Sequence, residues 1–427
     1  MKKSDNDPVL LYKPQGKSDK IMSEEDFVLA LQTPFQAHML QSCGHEKIIC
    51  IDSTHGTNAY DFSLTTVVVV DEFGEGYPVA WCPSNKTDTS ILTCFFKSIK
   101  EKVGVIVPKW LMTDDAEQFY NSWTNAFGGN PHKLLCTWHV DRAWRGHILS
   151  LKDQELAQTI YHNLRVLLEE TDEDKFEHLL KETQKQLAKS PTTSEFSDYF
   201  TKYYIPRKCQ WAACYRKGSQ LNTNMYVEAF HRLLKHIYMK GTCNKRIDKC
   251  IHVLIKLERD KAFERLIKSQ KGKISGRLSV IHKRHLASQK LSSSLVNIVD
   301  DNTWLVQSST DKDKSYTVER DKQECDANCA LKCQECNICV HMYCCNCSDA
   351  LIHHTICKHI HLVASTNHLP ASNDYTGFSS EQDYGPLLAT LSTNVSDVSH
   401  IKDVIIQKLS SLSAKYSSVK ICQLCQL

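Results

Sequence analysis

The sequence predicts a mixed α/β protein: a sheet with helices on its faces and a helical insertion, then a helical region, then a small cysteine-rich module. Three observations carry this. Three short β-branched or aromatic runs follow one another between Lys47 and Ser84, the signature of consecutive strands. Two more strand-like runs then alternate with two amphipathic segments up to residue 140, which sets helices against a mixed sheet. Finally, nine of the 20 cysteines fall between Cys325 and Cys357.

A chain of 427 residues predicts two or three units, each able to bury a core of its own. A net charge of +3 neither demands nor excludes a polyanionic partner. The opening "MKKSDNDPVLLYKPQGK" lacks a signal peptide's apolar core, and the longest apolar run, "LTTVVVV", falls far short of the ~20 residues of a membrane helix. A soluble intracellular chain without a membrane partner is expected. Reducing compartments do not sustain disulfides, so clustered cysteines there argue for metal.

In order, residues 1–45 are expected to form an N-terminal extension whose "SEEDFVLALQTPFQAHML" (Ser23 to Leu40) is a helix with Ser23 at its start. A core over 46–245 opens with "KIICID", a buried strand ending in Asp52. "FSLTTVVVV" and "GYPVAWCPS" flank "DEFGEG", a hairpin turn composition. "TDTSILTCFFKSIKEKVG" is a capped amphipathic helix ending in glycine. "KWLMTDD" reads as a fourth strand, "AEQFYNSWTNAFGG" as a helix and "HKLLCTWHV" as a fifth strand. Charged helical periodicity marks an insertion over about 145–205, and "NTNMYVEAFHRLLKHIYMKG" (Asn222 to Gly241) is another helix. Helices continue over 246–297, where "SSSLVN" is a linker, and the cysteine module spans 300–368. The Ser/Thr-rich 369–427 reads as a loosely ordered tail, with Cys422 and Cys425 only half of a metal site.

Within "CNCSDALIHHTICKH", Cys345, Cys347, Cys357 and His359 are spaced C-x-C…C-x-H, and such short pairs let thiolates and an imidazole converge on one tetrahedral zinc ion. The alternative is scattered buried thiols. All four positions resemble the SWIM zinc finger, whose pattern is C-x-C, a variable spacer, then C-x-H. Upstream, Cys325, Cys329, Cys333, Cys336, Cys339 and His341 suffice for a second ion, though spacing does not partition them, and reduced thiols lining the strands are the competing reading.

The first strand ends in Asp52 and the fourth in Asp114, with Asp115 beside it. Ligands gather at the carboxyl ends of strands in open sheets, which brings two distant acids together. Adjacent carboxylates repel unless a cation lies between them, and two divalent ions bridged by acids support phosphodiester cleavage. A third acid is expected from a helix packed on that edge, with Glu228 the best candidate. Each acid taken singly reads rather as a polar strand end, a helix N-cap or a solvated helix face; together, with the strand order fitting, they favour a catalytic set.

"IDSTHGTN", "TDDAEQFYNSW", "CTWHVDRAWR" and "NTNMYVEAFHRLLK", in this order, resemble MULE-type (Mutator-like) transposases over residues 47–242, and the SWIM match over 333–363 fits, since this finger often follows that domain. The resemblance implies an RNase H-like DDE core with a helical insertion before its glutamate. It implies Asp52, Asp114 and Glu228 as the first, second and third metal-binding acids for Mg²⁺ or Mn²⁺, with Asp115 as an alternative to Asp114. Cys136 and His139 match the family's C-x-x-H, which could bind metal, orient a DNA end or simply pack. It further implies DNA as the partner, either transposon ends or target, with room for a homo-oligomer and a nuclear or nucleocytoplasmic location. Basic stretches at Lys268–His285 and Trp138–His147 are candidate phosphate contacts or solvated helix faces. Relatives usually carry an N-terminal WRKY/GCM or FLYWCH domain; nothing like it precedes Met22, so a fragment or a domesticated host protein is expected. The expected activity is strand cleavage and transfer, the alternative a non-catalytic zinc protein that binds DNA or protein.

Overall fold

In the computed structural model, residues 7–367 are described, apart from 19–20, 150, 152, 217, 220, 243–245, 272–275, 312, 322–328 and 330. Cys325, the tail 369–427 and its Cys422 and Cys425 lie outside the described residues. Seven strands form one sheet: β1 (Val9–Lys13), β2 (Val28–Leu31), β3 (Ile48–Thr54), β4 (Ser63–Val70), β5 (Gly76–Ser84), β6 (Trp110–Thr113) and β7 (His132–Leu135). Their spatial order is β1-β2-β5-β4-β3-β6-β7. β3 pairs antiparallel with β4 but parallel with β6, and β6 pairs parallel with β7. At the β4–β5 turn, Asp71 Oδ1 accepts hydrogen bonds from the Phe73 and Glu75 amides at 3.0 and 2.8 Å, an Asx-type closure that fits the expected hairpin.

One face of the sheet is covered by α1 (Pro34–Gly44), α2 (Thr89–Val103) and α3 (Glu117–Phe127), which bury Phe35, Met39, Phe95, Phe96 and Trp123 against Ile49, Ile51, Val67 and Val69. Side chains alternate across a strand, so Ile48, Cys50, Met112 and Leu134 face the other way and pack on Val227. The N-terminal extension departs from expectation. Ser23 starts no helix, because Val28–Leu31 is a fully buried strand paired to β5, and the helix begins only at Pro34. Thr33 caps it through a reciprocal capping box with Gln36, and proline fits the first helical turn.

The fifth strand also ends earlier than expected. Cys136 is the N-cap of α4 (Thr137–Ile148), so C-T-W-H-V belongs to a helix. There follow α5 (Gln154–Glu169), α6 (Glu173–Lys189), α7 (Ser194–Tyr203) and α8 (Lys208–Trp211), so the insertion runs beyond 145–205. It has its own core, in which Trp144 and Trp211 pack edge to face at 5.2 Å. α9 (Met225–Arg232) runs into a π-helical turn, Leu233–Tyr238, and α10 (Ile247–Lys271) and α11 (Gly276–Ser288) follow. The cysteine-rich unit comprises β8 (Val296–Asp300), β9 (Thr303–Gln307), β10 (Ser315–Arg320), β11 (Lys332–Cys333), β12 (Ile338–Cys339), β13 (Tyr343–Cys345), α12 (Ser348–Leu351) and α13 (Lys358–Asn367). Its strands and helices enclose a separate core around Trp304, Val306 and Val318. Among the described residues, no helix is long and apolar enough to cross a membrane.

α10 is tied to the sheet by Glu258, whose Oε1 accepts hydrogen bonds from the Thr33 and Tyr77 hydroxyls at 3.2 and 3.1 Å. Burial pushes its carboxyl up to about 7. The folded state therefore holds this proton more tightly than the unfolded chain, and ionisation costs stability progressively from the ordinary carboxylate range up to pH 7. Glu258→Gln keeps both hydroxyl acceptors without the charge. It is expected to be more stable than wild type at pH 8 by ~1–3 kcal/mol and to lose this advantage at pH 4, as read from denaturant unfolding at the two pH values.

Candidate metal centres

The parallel register that pairs Ile48 with Trp110 and Cys50 with Met112 carries on to place Asp52 level with Asp114, one residue past the end of β6. Both lie on the face that carries Cys50 and Met112, the face covered by α9. Asp52 Oδ1 accepts from the Ser53 amide at 2.8 Å, and Asp114 Oδ1 from the Ala116 amide at 3.0 Å. Burial, the neighbouring Asp114 and then Glu228 push Asp52 up to about 7, opposed in part by Lys235. Burial likewise raises Asp114, with His139 opposing it. Asp115 points elsewhere: it is exposed and paired with Arg207, which turns it away from the shared edge.

Glu228 is half-buried on α9 and faces inward rather than to solvent, since its Oε1 accepts from the Cys136 thiol at 3.7 Å. Cys136, His139 and Glu228 present ligand atoms within 4.8 Å of one another. This grouping follows from the helix that replaces the end of the fifth strand: Cys136 caps α4 and His139 sits in its first turn. The Asn224 amide donates to Cys136 Sγ at 3.2 Å, and Cys136 is pushed up to about 11 by burial. The Nδ1 of His139 is buried without a hydrogen-bond partner, which leaves it available to a ligand.

Two residues not expected from the sequence hold this edge. Asn224 Nδ2 donates to the Ile51 carbonyl at 3.2 Å, next to Asp52. Arg216 is fully buried and donates to the carbonyls of Asn222 (2.8 Å), Gln210 (2.7 Å) and Leu135, so it binds the end of the insertion, β7 and the approach to α9 in one clamp. Asn222 and Asn224 stand within the "NTN" that precedes the glutamate helix, whereas a lone Arg216 in a loop gave no periodic or spacing signal.

In the C-terminal unit, Cys345 ends β13, Cys347 caps α12, Cys357 precedes α13 and His359 lies in its first turn. All four are buried and their ligand atoms lie within 4.8 Å of one another. Cys345 Sγ and Cys357 Sγ are each 3.9 Å from His359 Nδ1, close to the ~3.6 Å that tetrahedral zinc with bonds of about 2.3 and 2.0–2.1 Å would give. Tyr316 stacks on the imidazole at 4.3 Å and fixes its plane. The upstream cysteines divide: Cys333 and Cys336 gather with His285 and His361, while Cys329, Cys339 and His341 form another group. The unit touches the acid edge through Asn222, whose Nδ2 donates to the Leu351 carbonyl at 3.2 Å.

A cavity of about 630 Å³ lies at the opposite ends of the strands, between Lys47, Trp110, Leu331 and Cys344. It is therefore no part of the acid edge. Among the described basic side chains of Lys268–His285, all but the exposed Lys283 are engaged within the protein. Lys268 pairs with Glu75, Arg284 with Asp349 and His282 with Glu335, Arg277 donates to the His354 carbonyl, and His285 is buried. By contrast Trp138 is exposed beside the acid edge, with the Arg142 guanidinium 5.3 Å above its ring.

The fold and sites thus define a mixed α/β protein with an acidic sheet edge and Cys/His clusters competent to hold metal. Residues 48–142, which carry Asp52, Asp114, Cys136 and His139, match the family model described as the MULE transposase domain. No curated protein matches the chain. Removing the clamp tests the geometry: Arg216→Met, which leaves three carbonyls without their donor, is expected to lower the unfolding free energy by ~2–4 kcal/mol, measured by denaturant titration.

Proposed function

We propose that the chain cleaves and joins DNA strands as a transposase-type enzyme, through Asp52, Asp114 and Glu228 holding Mg²⁺ or Mn²⁺. The observation that carries this is the level placement of Asp52 and Asp114 on adjacent parallel strands, inside residues 48–142 that match a transposase domain, with Glu228, beyond the matched residues, brought to the same face by α9. An antiparallel trio joined to two parallel strands, with helices on both faces, supports an RNase H-like core over 46–245. The donors fit divalent cations: two half-buried carboxylates that resist ionisation side by side are a site short of positive charge. Bound there, the ions would polarise phosphate oxygens and activate the attacking water or hydroxyl.

The chain's own groups do the positioning. Asp52 and Asp114 are fixed by backbone amides at the strand ends, and Cys136 and His139 orient Glu228. Trp138 and Arg142 offer a stacking face and a phosphate contact for a strand entering this edge. Cys345, Cys347, Cys357 and His359 form a SWIM-type structural zinc site within 300–368, and its loop braces Asn222. Such an enzyme would act in the nucleus or move between nucleus and cytoplasm, and processing two DNA ends would call for a homo-oligomer.

Asp52→Asn, Asp114→Asn and Glu228→Gln are each expected to reduce Mn²⁺-dependent cleavage of labelled DNA by at least ~100-fold while circular dichroism stays unchanged. Asp115→Asn, at the Arg207 pair, is expected to change it less than about threefold. Undiminished cleavage by Asp52→Asn would remove this residue from the site, and no cleavage by any form of the chain would leave a zinc-stabilised DNA- or protein-binding scaffold.

A further inference from the structure

We infer that His285, Cys333, Cys336 and His361 form a second structural zinc site, which pins α11 to α13 through the turn between β11 and β12. The site is independent of strand cleavage and does not rest on that reading.

The local backbone is shaped for it. Cys333 ends β11, Cys336 lies in the turn and β12 begins at Ile338, with Cys333 paired to Ile338 across the hairpin. Asn337, directly after Cys336, has φ of 53°, a left-handed conformation that asparagine tolerates and that lets the turn fold both thiols to one side. The two imidazoles come from elements on either side in the chain: His285 from the last turn of α11 and His361 from the second turn of α13.

The donor set is complete and dry. The four side chains are 7%, 2%, 3% and 0% exposed in chain order, and their ligand atoms lie within 4.8 Å of one another. Cys336 Sγ is 3.2 Å from His285 Nδ1 and 3.4 Å from His361 Nδ1, bracketed closely below the ~3.6 Å of a tetrahedral S–Zn–N pair. Binding one Zn²⁺ as two thiolates and two neutral imidazoles leaves the set neutral and releases the thiol protons to solvent.

The chain separation says what the site does. His285 and His361 lie on different helices, and the cysteines lie on a hairpin between them, so one ion crosslinks three segments that otherwise meet by packing and the His282–Glu335 contact. α11 also carries Arg277, which donates to the His354 carbonyl at 2.8 Å, and Arg284, which pairs with Asp349 at 2.7 Å. Both partners lie in the segment between the two ligand pairs of the C-x-C…C-x-H site, Asp349 in α12 and His354 after it. Gly74 of the β4–β5 turn completes the seat, since a Cβ there would lie 2.7 Å from Arg277 and 2.8 Å from Leu331. Zinc at this second site therefore locks the C-terminal unit against the sheet.

The test is zinc content of the full purified chain, by plasma mass spectrometry, with Co²⁺ substitution as a second readout. Cys336→Ser is expected to lose one zinc equivalent relative to wild type while retaining the equivalent that Cys345→Ser loses. His285→Cys keeps four donors and is expected to retain wild-type zinc. In its Co²⁺-loaded form the thiolate charge-transfer absorption should rise by about the increment of one added thiolate, which does not depend on a variant losing its fold. Unchanged zinc in Cys336→Ser, or unchanged charge-transfer absorption in Co²⁺-loaded His285→Cys, would overturn the assignment.

Discussion

The parallel pairing of β3 with β6 is the constraint from which the rest of the molecule follows. Hydrogen bonds between these strands fix their relative register, and because side chains alternate, that register also fixes which residues share a face. A slip of one residue would send Asp52 into the apolar layer of Phe95 and Trp123 and bring Ile51 to the edge. The continuous aliphatic packing of Ile49, Ile51 and Leu111 under α2 and α3 makes such a slip prohibitive. Thus the hydrophobic core on one face determines the acids on the other.

A second layer of control comes from polar contacts at chain crossings. Arg216, Asn222 and Asn224 connect β3, β7, the end of the insertion, α9 and the loop after α12 within a few residues of one another. The insertion, with its own aromatic core, then acts as a body whose return point is held at the acid edge. The π-helical turn after α9 belongs to the same region, where Lys235 faces Asp52 and His231 Nε2 meets the Thr66 hydroxyl at 3.1 Å. Burial lowers His231 to about 3, so it stays neutral beside the acids and leaves Lys235 as the counter-charge.

How much of this could be read from the sequence depended on the range of the determining interaction. The strands ending at Asp52 and Asp114 were readable because period and composition are local, and C-x-C…C-x-H because its ligands sit within fifteen residues. The choice between Asp114 and Asp115 needed a distant partner, Arg207. The first sheet strands were hidden in a stretch that has helical spacing, since Val28–Leu31 becomes a strand only by pairing with β5, and Thr33-Pro34 places the helix start eleven residues after Ser23. Cys136 and His139 were visible as a pair, but their setting was misread as strand because Leu134 and Leu135 look alike in either state. Histidines 285 and 361 could not be joined to Cys333 and Cys336 by spacing, for the four ligands span three elements that only the tertiary fold brings together.

The central claim is that three carboxylates far apart in the chain share one cation site. Its most direct test is a crystal of the full chain soaked in Mn²⁺ and measured at the manganese absorption edge. The account requires an anomalous peak between Asp52 and Asp114 with a Glu228 oxygen in or next to its coordination shell, and loss of that peak in Asp52→Asn. A peak at Asp115, or none at the ends of β3 and β6 at saturating Mn²⁺, would contradict it.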